Sequence, residues 1–297
     1  MPDQSSTKFC THAVPCRMDR PAWKPAHSER EQQHRVDVMR GLKSTRRATL
    51  IGLFLVVSLA ARADRLVVMG DDRYAPVIYA EAGRPAGFLV DLLRRAQVYS
   101  GDEYDIQLMP WKRAYAMALR GMGGLIGVSH NSERAPLFDY SKPVYDDAIR
   151  VVVLKGQEFK FDGLEDLKGK NVGGVAGASY GEAVDRAIAS GLFTVDRDIG
   201  QSSRLRKLLA GRLDAAFIGN GEAGFRLVLE SHPELQANRE RFVLLPTPLA
   251  RDPLHLAFAK SMQQHAAVQR FDAAMERVMA DLKAEAARER AKLDKRP

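Results

Sequence analysis

This sequence has few cysteines, few aromatic residues and no apolar run long enough to cross a membrane. Its most apolar stretch, residues 50–59, is about ten residues long, whereas a membrane-spanning helix needs about 20. The two cysteines, Cys10 and Cys16, are spaced too poorly for a convincing metal site or disulfide. The four histidines after residue 63 show no ligand spacing, so the sequence predicts no metal and no cofactor.

An excess of charge of one sign is also missing from most of the chain. The whole sequence has a formal net charge of +8, but residues 1–63 contain 11 Lys and Arg against five Asp and Glu. The remaining residues, 64–297, therefore carry a net charge of only +2. A nearly neutral globular part argues against a nucleic-acid-binding protein.

The excess positive charge precedes an apolar segment in the layout of a secretory signal peptide. Four basic residues between 40 and 47 precede the apolar run, and Ala61-Arg62-Ala63 follows it as a cleavage site. We therefore predict a signal peptide over residues 39–63 and a periplasmic location. Residues 1–38 show no periodicity, and we interpret them as a non-native or disordered extension. The mature chain, from Asp64, would then lack cysteine and have no stable membrane insertion.

The mature chain alternates between strand patterns and helix patterns, and this rhythm occurs twice, over 64–145 and 154–245. Short apolar strands are predicted at 66–70, 104–109, 124–128, 172–175 and 214–218, and helical stripes at 88–96 and 111–119. The last segment reads as an amphipathic helix whose charged tail, from Glu285, should fray. The pattern predicts an α/β fold, in which ligands bind at the carboxyl ends of the strands.

One stretch, residues 121–145, combines a strand, a polar turn and a single arginine, Arg134. Hydroxyl and backbone donors beside a guanidinium make a good site for a carboxylate. An arginine in a polar loop is usually a solvated surface residue, so this stretch alone does not establish a carboxylate site.

An ordered set of segments resembles the family-3 extracellular solute-binding proteins, the amino-acid type of periplasmic binding protein that serves ABC transporters. The matching segments are 71–76, 87–92, 129–134, 139–145, 164–173 and 211–215. The element at Trp111 is similar to a divergent branch of that family. The resemblance implies a two-lobed (class II) fold, each lobe a mostly parallel sheet flanked by helices, joined by two crossing hinge strands. Lobe one would be 64–147 plus 254–297, lobe two 152–246, and the hinges about 147–152 and 246–254.

The resemblance also implies a set of ligand-binding residues. Arg134 matches the residue that binds the ligand's α-carboxylate, Ser129 a neighbouring donor, and Gly177 with Ser179 the lobe-two loop that meets the same group. Tyr74 and Trp111 match aromatic residues that sandwich the ligand. Asp71 matches a residue that contacts cationic side chains. Simpler readings compete: the two aromatic residues could pack in the core, Asp71 could cap a turn, and Ser179, with Glu182, has capping-box spacing before a helix at 183–188.

The sequence departs from the family where an acid would accept the ligand's ammonium group. Gly219 stands there, followed by Asn220 and Glu222. A buried ammonium without an acceptor costs several kcal/mol. Either Glu222 or Asp71 replaces the acid, or the ligand is not an ordinary α-amino acid.

The sequence thus predicts a soluble, monomeric, non-enzymatic binding protein that captures a small carboxylate-bearing solute for an ABC permease. One alternative is a dehydratase-like enzyme on the same scaffold, using Glu222, Asp71 or Glu133 as an acid, with His130 nearby. Another is a sensor partner of a membrane receptor.

Overall fold

The computed structural model describes residues 65–293, which form thirteen strands and seven α-helices. The predicted extension (1–38) and signal peptide (39–63) lie outside the described residues. The strands are β1 Arg65–Asp71, β2 Arg73–Tyr74, β3 Ile78–Glu81, β4 Arg84–Ala86, β5 Glu103–Met109, β6 Gly124–Ser129, β7 Phe138–Tyr140, β8 Tyr145–Leu154, β9 Asn171–Val175, β10 Thr194–Asp198, β11 Ala215–Ile218, β12 Phe242–Leu244 and β13 Ala250–Ala259. The α-helices are α1 Phe88–Ser100, α2 Trp111–Leu119, α3 Glu182–Ala189, α4 Gln201–Leu209, α5 Gly221–Glu230, α6 Pro233–Ala237 and α7 His265–Leu293. Single 3₁₀ turns occupy Leu164–Leu167, Arg239–Arg241 and Lys260–Met262.

Most strands join one sheet in the order β10-β9-β11-β8-β13-β6-β1-β5, with β12 beside β8 and β7 beside β13. The pairs at each end of this order, β9 with β10 and β11, and β1 with β5 and β6, are parallel. The pairs in the middle are antiparallel. The sheet is therefore two parallel halves joined by antiparallel strands, and β2-β3-β4 form a separate small sheet.

The two long central strands, β8 and β13, carry the chain from one half to the other. The first part of β8 pairs with β13, and its second part pairs with β11 and β12. The second part of β13 pairs with β6 and β7. These are the two crossing strands of a two-lobed α/β fold, and the fold class predicted from the sequence is confirmed.

The cores explain why the strands are continuous apolar runs. In β8 and β11, Val151 and Phe217 face one hydrophobic cluster, while Val152 and Ile218 face another on the opposite side of the sheet. Successive side chains of a strand point to opposite faces, so a run that is apolar at every position is buried on both. In the other lobe, α1 and α7 cover the sheet with a cluster that includes Leu89, Leu93 and Phe271.

The structure differs from two of the local predictions made from the sequence. Helix α7 continues beyond Glu285 to Leu293 instead of fraying there, and Arg95 donates to Glu285 at 2.8 Å. Helix α3 begins after Gly181 with no side-chain cap, so the predicted capping box is wrong. Within residues 65–293, no helix is both long enough and apolar enough to cross a membrane.

Candidate functional site

A cavity of about 80 Å³ lies between the two lobes, where the carboxyl ends of the parallel strands meet. From the half that contains β1, it is lined by Asp71 at the end of β1 and Ser129 at the end of β6. From the other half, it is lined by Ser179 after β9 and Gly219 after β11. Each of these residues follows or ends a strand, so the topology of the sheet brings them together.

The structure places five of the nine sequence-predicted site residues in the lining: Asp71, Tyr74, Trp111, Ser129 and Ser179. Trp111 keeps only 7% of its surface exposed, and its indole Nε1 donates to the Gly177 carbonyl at 3.0 Å. It therefore packs in a core and borders the cavity at once.

The other four predicted residues, Arg134, Gly177, Asn220 and Glu222, lie outside the lining. Gly177 and Asn220 still stand next to it: the Asn220 N–H donates to Asp147 Oδ1 at 2.6 Å, and Tyr145 donates to the Asn220 side chain. Glu222 is exposed in the first turn of α5. His130, the residue named beside the acids of the enzymatic alternative, is also exposed and outside the lining, whereas Asp71, one of those acids, lines the cavity.

Arg134 is buried, with 5% of its surface exposed, and lies immediately behind the lining. Its Nη2 donates to the Gly177 carbonyl at 3.0 Å and its Nη1 to the Ser129 carbonyl at 3.4 Å. The guanidinium also lies 4.8 Å from the centre of the Tyr115 ring. Within the described part of the chain it forms no ion pair with a carboxylate, so it is a buried cation with donors to spare.

Two acids that the sequence reading missed also line the cavity: Asp147 on β8 and Asp252 on β13. They are 7% and 3% exposed. Asp252 accepts a hydrogen bond from Ser129 Oγ at 2.5 Å, and Asp147 accepts from Asn220. The predicted hinge segments were the signal that could have identified them, because a charged residue in a strand enclosed by two lobes has no solvent to face.

Burial dominates the electrostatics of these acids. It raises the pKa of Asp252 from 3.8 to about 7, with the Ser129 hydrogen bond opposing the rise and the neighbouring Asp147 adding to it. Burial likewise raises the pKa of Asp71 to about 7, against the hydrogen bond from the Arg73 N–H. Burial also raises the pKa of Asp147. Neighbouring carboxylates add to all three rises, so the cavity disfavours a negative charge on each of these acids.

Beside the cavity, several hydrogen bonds join the two lobes directly. Asn131 Nδ2 donates to Ser179 Oγ at 3.2 Å and to Asp185 at 3.0 Å. The Ser132 N–H and hydroxyl both donate to the Glu182 carboxylate at 2.9 Å. Glu182 is therefore used across the cleft, and these hydrogen bonds lower its pKa. The geometry is that of two lobes in contact around an enclosed site.

A buried ion pair borders the cavity on the side of helix α4. Arg204 donates to Asp198 through Nε at 3.1 Å and Nη2 at 3.0 Å, and both side chains are 2% exposed. Gln201, from the same helix, accepts from the Gly219 N–H at 3.0 Å. Within residues 65–293, no group of three or more His, Cys, Asp or Glu side chains is arranged to hold a metal ion.

The sequence model of the bacterial extracellular solute-binding proteins, family 3, matches residues 66–291 of this chain. Among individual proteins, the L-cystine-binding protein TcyJ of Escherichia coli (strain K12) is 26% identical over 181 residues, which is 60% of this chain. The match spans 66% of that protein, just under two thirds of its length.

Solved structures share the fold. A histidine kinase sensor domain with similarity to periplasmic binding proteins has a TM-score of 0.64 at 21% identity, covering 77% of this chain and 96% of that one. The arginine-, lysine-, histidine-binding protein ArtJ of Geobacillus stearothermophilus has a TM-score of 0.60 at 22% identity, covering 74% and 91%. At these identities the likeness establishes the fold and not the ligand.

Proposed function

This chain belongs to the bacterial extracellular solute-binding proteins of family 3, and from that premise we propose that it captures a small amino acid, or a close derivative, between its lobes. The observation that carries the proposal is the cavity itself. It is lined by residues of both lobes, lies at the carboxyl ends of their strands, and combines apolar surface with several buried polar side chains. A cleft of mostly apolar surface with a few buried polar groups suits a small solute whose polar groups are held by directional contacts.

Arg134 is the proposed anchor for the ligand's carboxylate. A buried cation without an anionic partner is costly, and the cost is relieved when an anion binds. Its two acceptors support this placement, because Ser129 lines the cavity and Gly177 adjoins Ala178, which also lines it. A carboxylate reaching past Ser129 would replace weak carbonyl contacts by charge-assisted ones.

The wider role we propose is delivery of the solute to the membrane permease of an ABC transporter. The family is extracellular, which supports the signal peptide that we propose at 39–63 and a periplasmic mature protein. We propose that the mature protein is a monomer. We propose lobe boundaries of 64–147 plus 254–297 and 152–246, and the pairing of the long strands β8 and β13 with both halves of the sheet supports this division. The relatives are described as binding proteins, and we propose that this chain also binds without turnover.

The ligand is found with a thermal-shift panel of the protein amino acids, L-cystine, putrescine, agmatine and simple dicarboxylic acids. A ligand present at 100 times its Kd stabilises the folded state by about 2.7 kcal/mol, which raises the Tm of a protein of this size by roughly 5–10 °C. At least one amino acid should do so. If no amino acid shifts the Tm, the proposed ligand class is wrong.

Arg134→Ala then tests the anchor. Loss of a two-pronged, charge-assisted contact should weaken binding of the best amino acid on the order of 100-fold. Glu133→Ala, at the exposed neighbouring position, is the matched control and should leave the Kd within about threefold. Equal affinity in Arg134→Ala would remove this residue from the site while leaving the ligand class intact. The panel and the variant therefore report on separate parts of the proposal.

A further inference from the structure

Two acidic side chains face each other on the crossing strands. Asp147 of β8 and Asp252 of β13 are direct partners in the antiparallel register. Both line the cavity, and both are more than nine-tenths buried. Like charges directly opposite each other on a strand pair are destabilising, and burial makes the repulsion worse. A buried acid pair with this electrostatic cost is best explained by a ligand that binds to it.

Other buried aspartates in residues 65–293 show how this chain ordinarily compensates such a charge. Asp198 is paired with Arg204 at 3.0 Å, and Asp102 is paired with Arg270 at 2.6 Å. Asp147 and Asp252 form no ion pair within the described residues, and their protein donors are all uncharged: a backbone N–H, a serine hydroxyl and, beside Asp147, the Tyr74 hydroxyl. Their missing partner is therefore a cation that the described part of the chain does not supply.

The basic residues that line the cavity do not fill this role. Arg204 is committed to Asp198 through two hydrogen bonds. Arg73 is half exposed and lies 3.5 Å from the carboxylate of Asp72. Behind the lining, Arg134 donates to two carbonyls, and its charge lowers the pKa of Asp252. With Asp71 also in the lining, the cavity has more acidic side chains than basic ones free to pair with them.

An independent feature indicates that a polar ligand completes the cavity. Gln201 lines it, is 5% exposed, and uses its Oε1 to accept from the Gly219 N–H. Its Nε2 is buried without a hydrogen-bond partner among the described residues. Buried amide donors are almost always satisfied, so this one indicates an acceptor on a bound molecule. The acid pair favours a ligand with a cationic group, and the unpaired amide donor of Gln201 favours one that also has a hydrogen-bond acceptor.

The surroundings of Gly219 also favour Asp147 as the acid that meets the ligand's cationic group. A Cβ built on Gly219 would lie 2.9 Å from Asp147 Oδ2 and 2.2 Å from the Tyr74 hydroxyl. The carboxylate of Asp147 thus occupies the region into which a side chain at position 219 would project. Neither Glu222, which is exposed, nor a residue at 219 can supply a charge there.

We propose that Asp147 and Asp252 form the subsite for a cationic nitrogen of the solute, and that they select ligands with a primary ammonium group over carboxylic acids that lack one. The inference rests on the proposed function for its setting, the cleft between the lobes, but not on Arg134. An ammonium group has three donors, which match acceptors on two facing carboxylates and leave one for a neighbouring oxygen.

The test uses Asp147→Asn and Asp252→Asn, titrated by calorimetry with the panel amino acid that binds the unsubstituted protein most tightly. An amide keeps the oxygen that accepts from Asn220 or from Ser129, so both variants should fold. Each loss of charge should weaken binding about 10- to 100-fold. Asp146→Asn is the matched control: Asp146 is the preceding residue of β8, points away from its neighbour along the strand, and pairs with Arg251 in a half-exposed position. Its Kd should stay within about threefold.

A second arm needs no variant. L-arginine is compared with 5-guanidinopentanoate, which lacks only the α-ammonium, and L-cystine with 3,3′-dithiodipropionate. The deaminated analogue should bind at least about 10-fold more weakly. Equal binding of an amino acid and its deaminated analogue, or unchanged Kd in both Asn variants, overturns the inference while the proposed function stands. If only putrescine or agmatine binds, and the Asn variants lose it, the subsite stands and the carboxylate anchor falls. If neither amino acids nor these amines bind, both proposals fall.

Discussion

Adding a single methyl group at Gly219 should weaken ligand binding without unfolding the protein. The Cβ of Gly219→Ala would lie 2.2 Å from the Tyr74 hydroxyl and 2.9 Å from Asp147 Oδ2, well inside van der Waals contact. The backbone at this position lies outside the left-handed region, so alanine meets no conformational penalty of its own. The whole cost therefore comes from the contact with Tyr74 and Asp147.

The expected loss of affinity follows from the overpacking cost and from the lobes to which Tyr74 and Gly219 belong. Overpacking of this kind costs roughly 1–3 kcal/mol. Tyr74 packs against the core of the lobe that contains β1, whereas Gly219 follows β11 in the other lobe. Parting the lobes relieves the contact with Tyr74, which is the shorter of the two, so most of the penalty falls on the closed state. A penalty of 1–3 kcal/mol on closure weakens binding about 5- to 150-fold.

Calorimetric titration with the best amino acid of the panel gives the change in Kd, and urea unfolding without ligand gives the stability. Gly163→Ala is the control, because a Cβ there meets nothing within 4 Å and the backbone is extended. We expect a large loss of affinity and an unfolding midpoint close to that of the control. Unchanged affinity would refute the reasoning. A full 1–3 kcal/mol loss of ligand-free stability would also refute it, since the Tyr74 contact would then be a permanent part of the core.

Two further predictions concern charges near the cleft. Because burial raises the pKa of Asp252 from 3.8 to about 7, the folded protein holds a proton between these pH values that the unfolded chain has released. The ligand-free free energy of unfolding should therefore fall as the pH rises from 4 to 7, by up to about 4 kcal/mol, and urea titrations should show the slope reduced in Asp252→Asn. The Glu182 carboxylate joins the lobes through Ser132, so Glu182→Ala should weaken ligand binding about threefold to tenfold in calorimetry, whereas Glu165→Ala, in the exposed 3₁₀ turn, should not.

The fold was well predicted from the sequence because it depends on hydrophobic patterns that a sequence displays directly. Helix α2 covers Trp111–Leu119, the range that its apolar stripe predicted, and the strands predicted at 66–70 and 172–175 extend by only a residue or two. Periodicity fixes which residues are buried, and burial fixes the element. Helix beginnings were less predictable. Helix α4 begins at Gln201 directly after Gly200, with no side-chain cap to mark its start.

The site was harder to predict because it depends on contacts between residues far apart in the chain. Glu222 follows a buried strand, as a ligand-binding acid would, but helix α5 starts at Gly221 and leaves it exposed. Ser179 and Glu182 have the spacing of a capping box, yet Ser179 bonds locally to Asp185 and across the cleft to Asn131, and Glu182 accepts from Ser132 of the other lobe. Spacing in the sequence predicts only local partners, and the contacts across the cleft depend on how the lobes approach each other.

The two acids that were missed show where the limit lies. In the sequence, Asp146 and Asp147 are equivalent, and a shift of one residue in register exchanges which of them faces the cavity. The pairing of β8 with β13 sets that register and places Asp252 opposite Asp147. Because these strands connect the two lobes, acids on them stay together however the lobes stand. A cationic group held by Asp147 and Asp252 can therefore bind before Gln201 and Ser179 reach the ligand from the other lobe, and closure then adds contacts to a subsite that already exists.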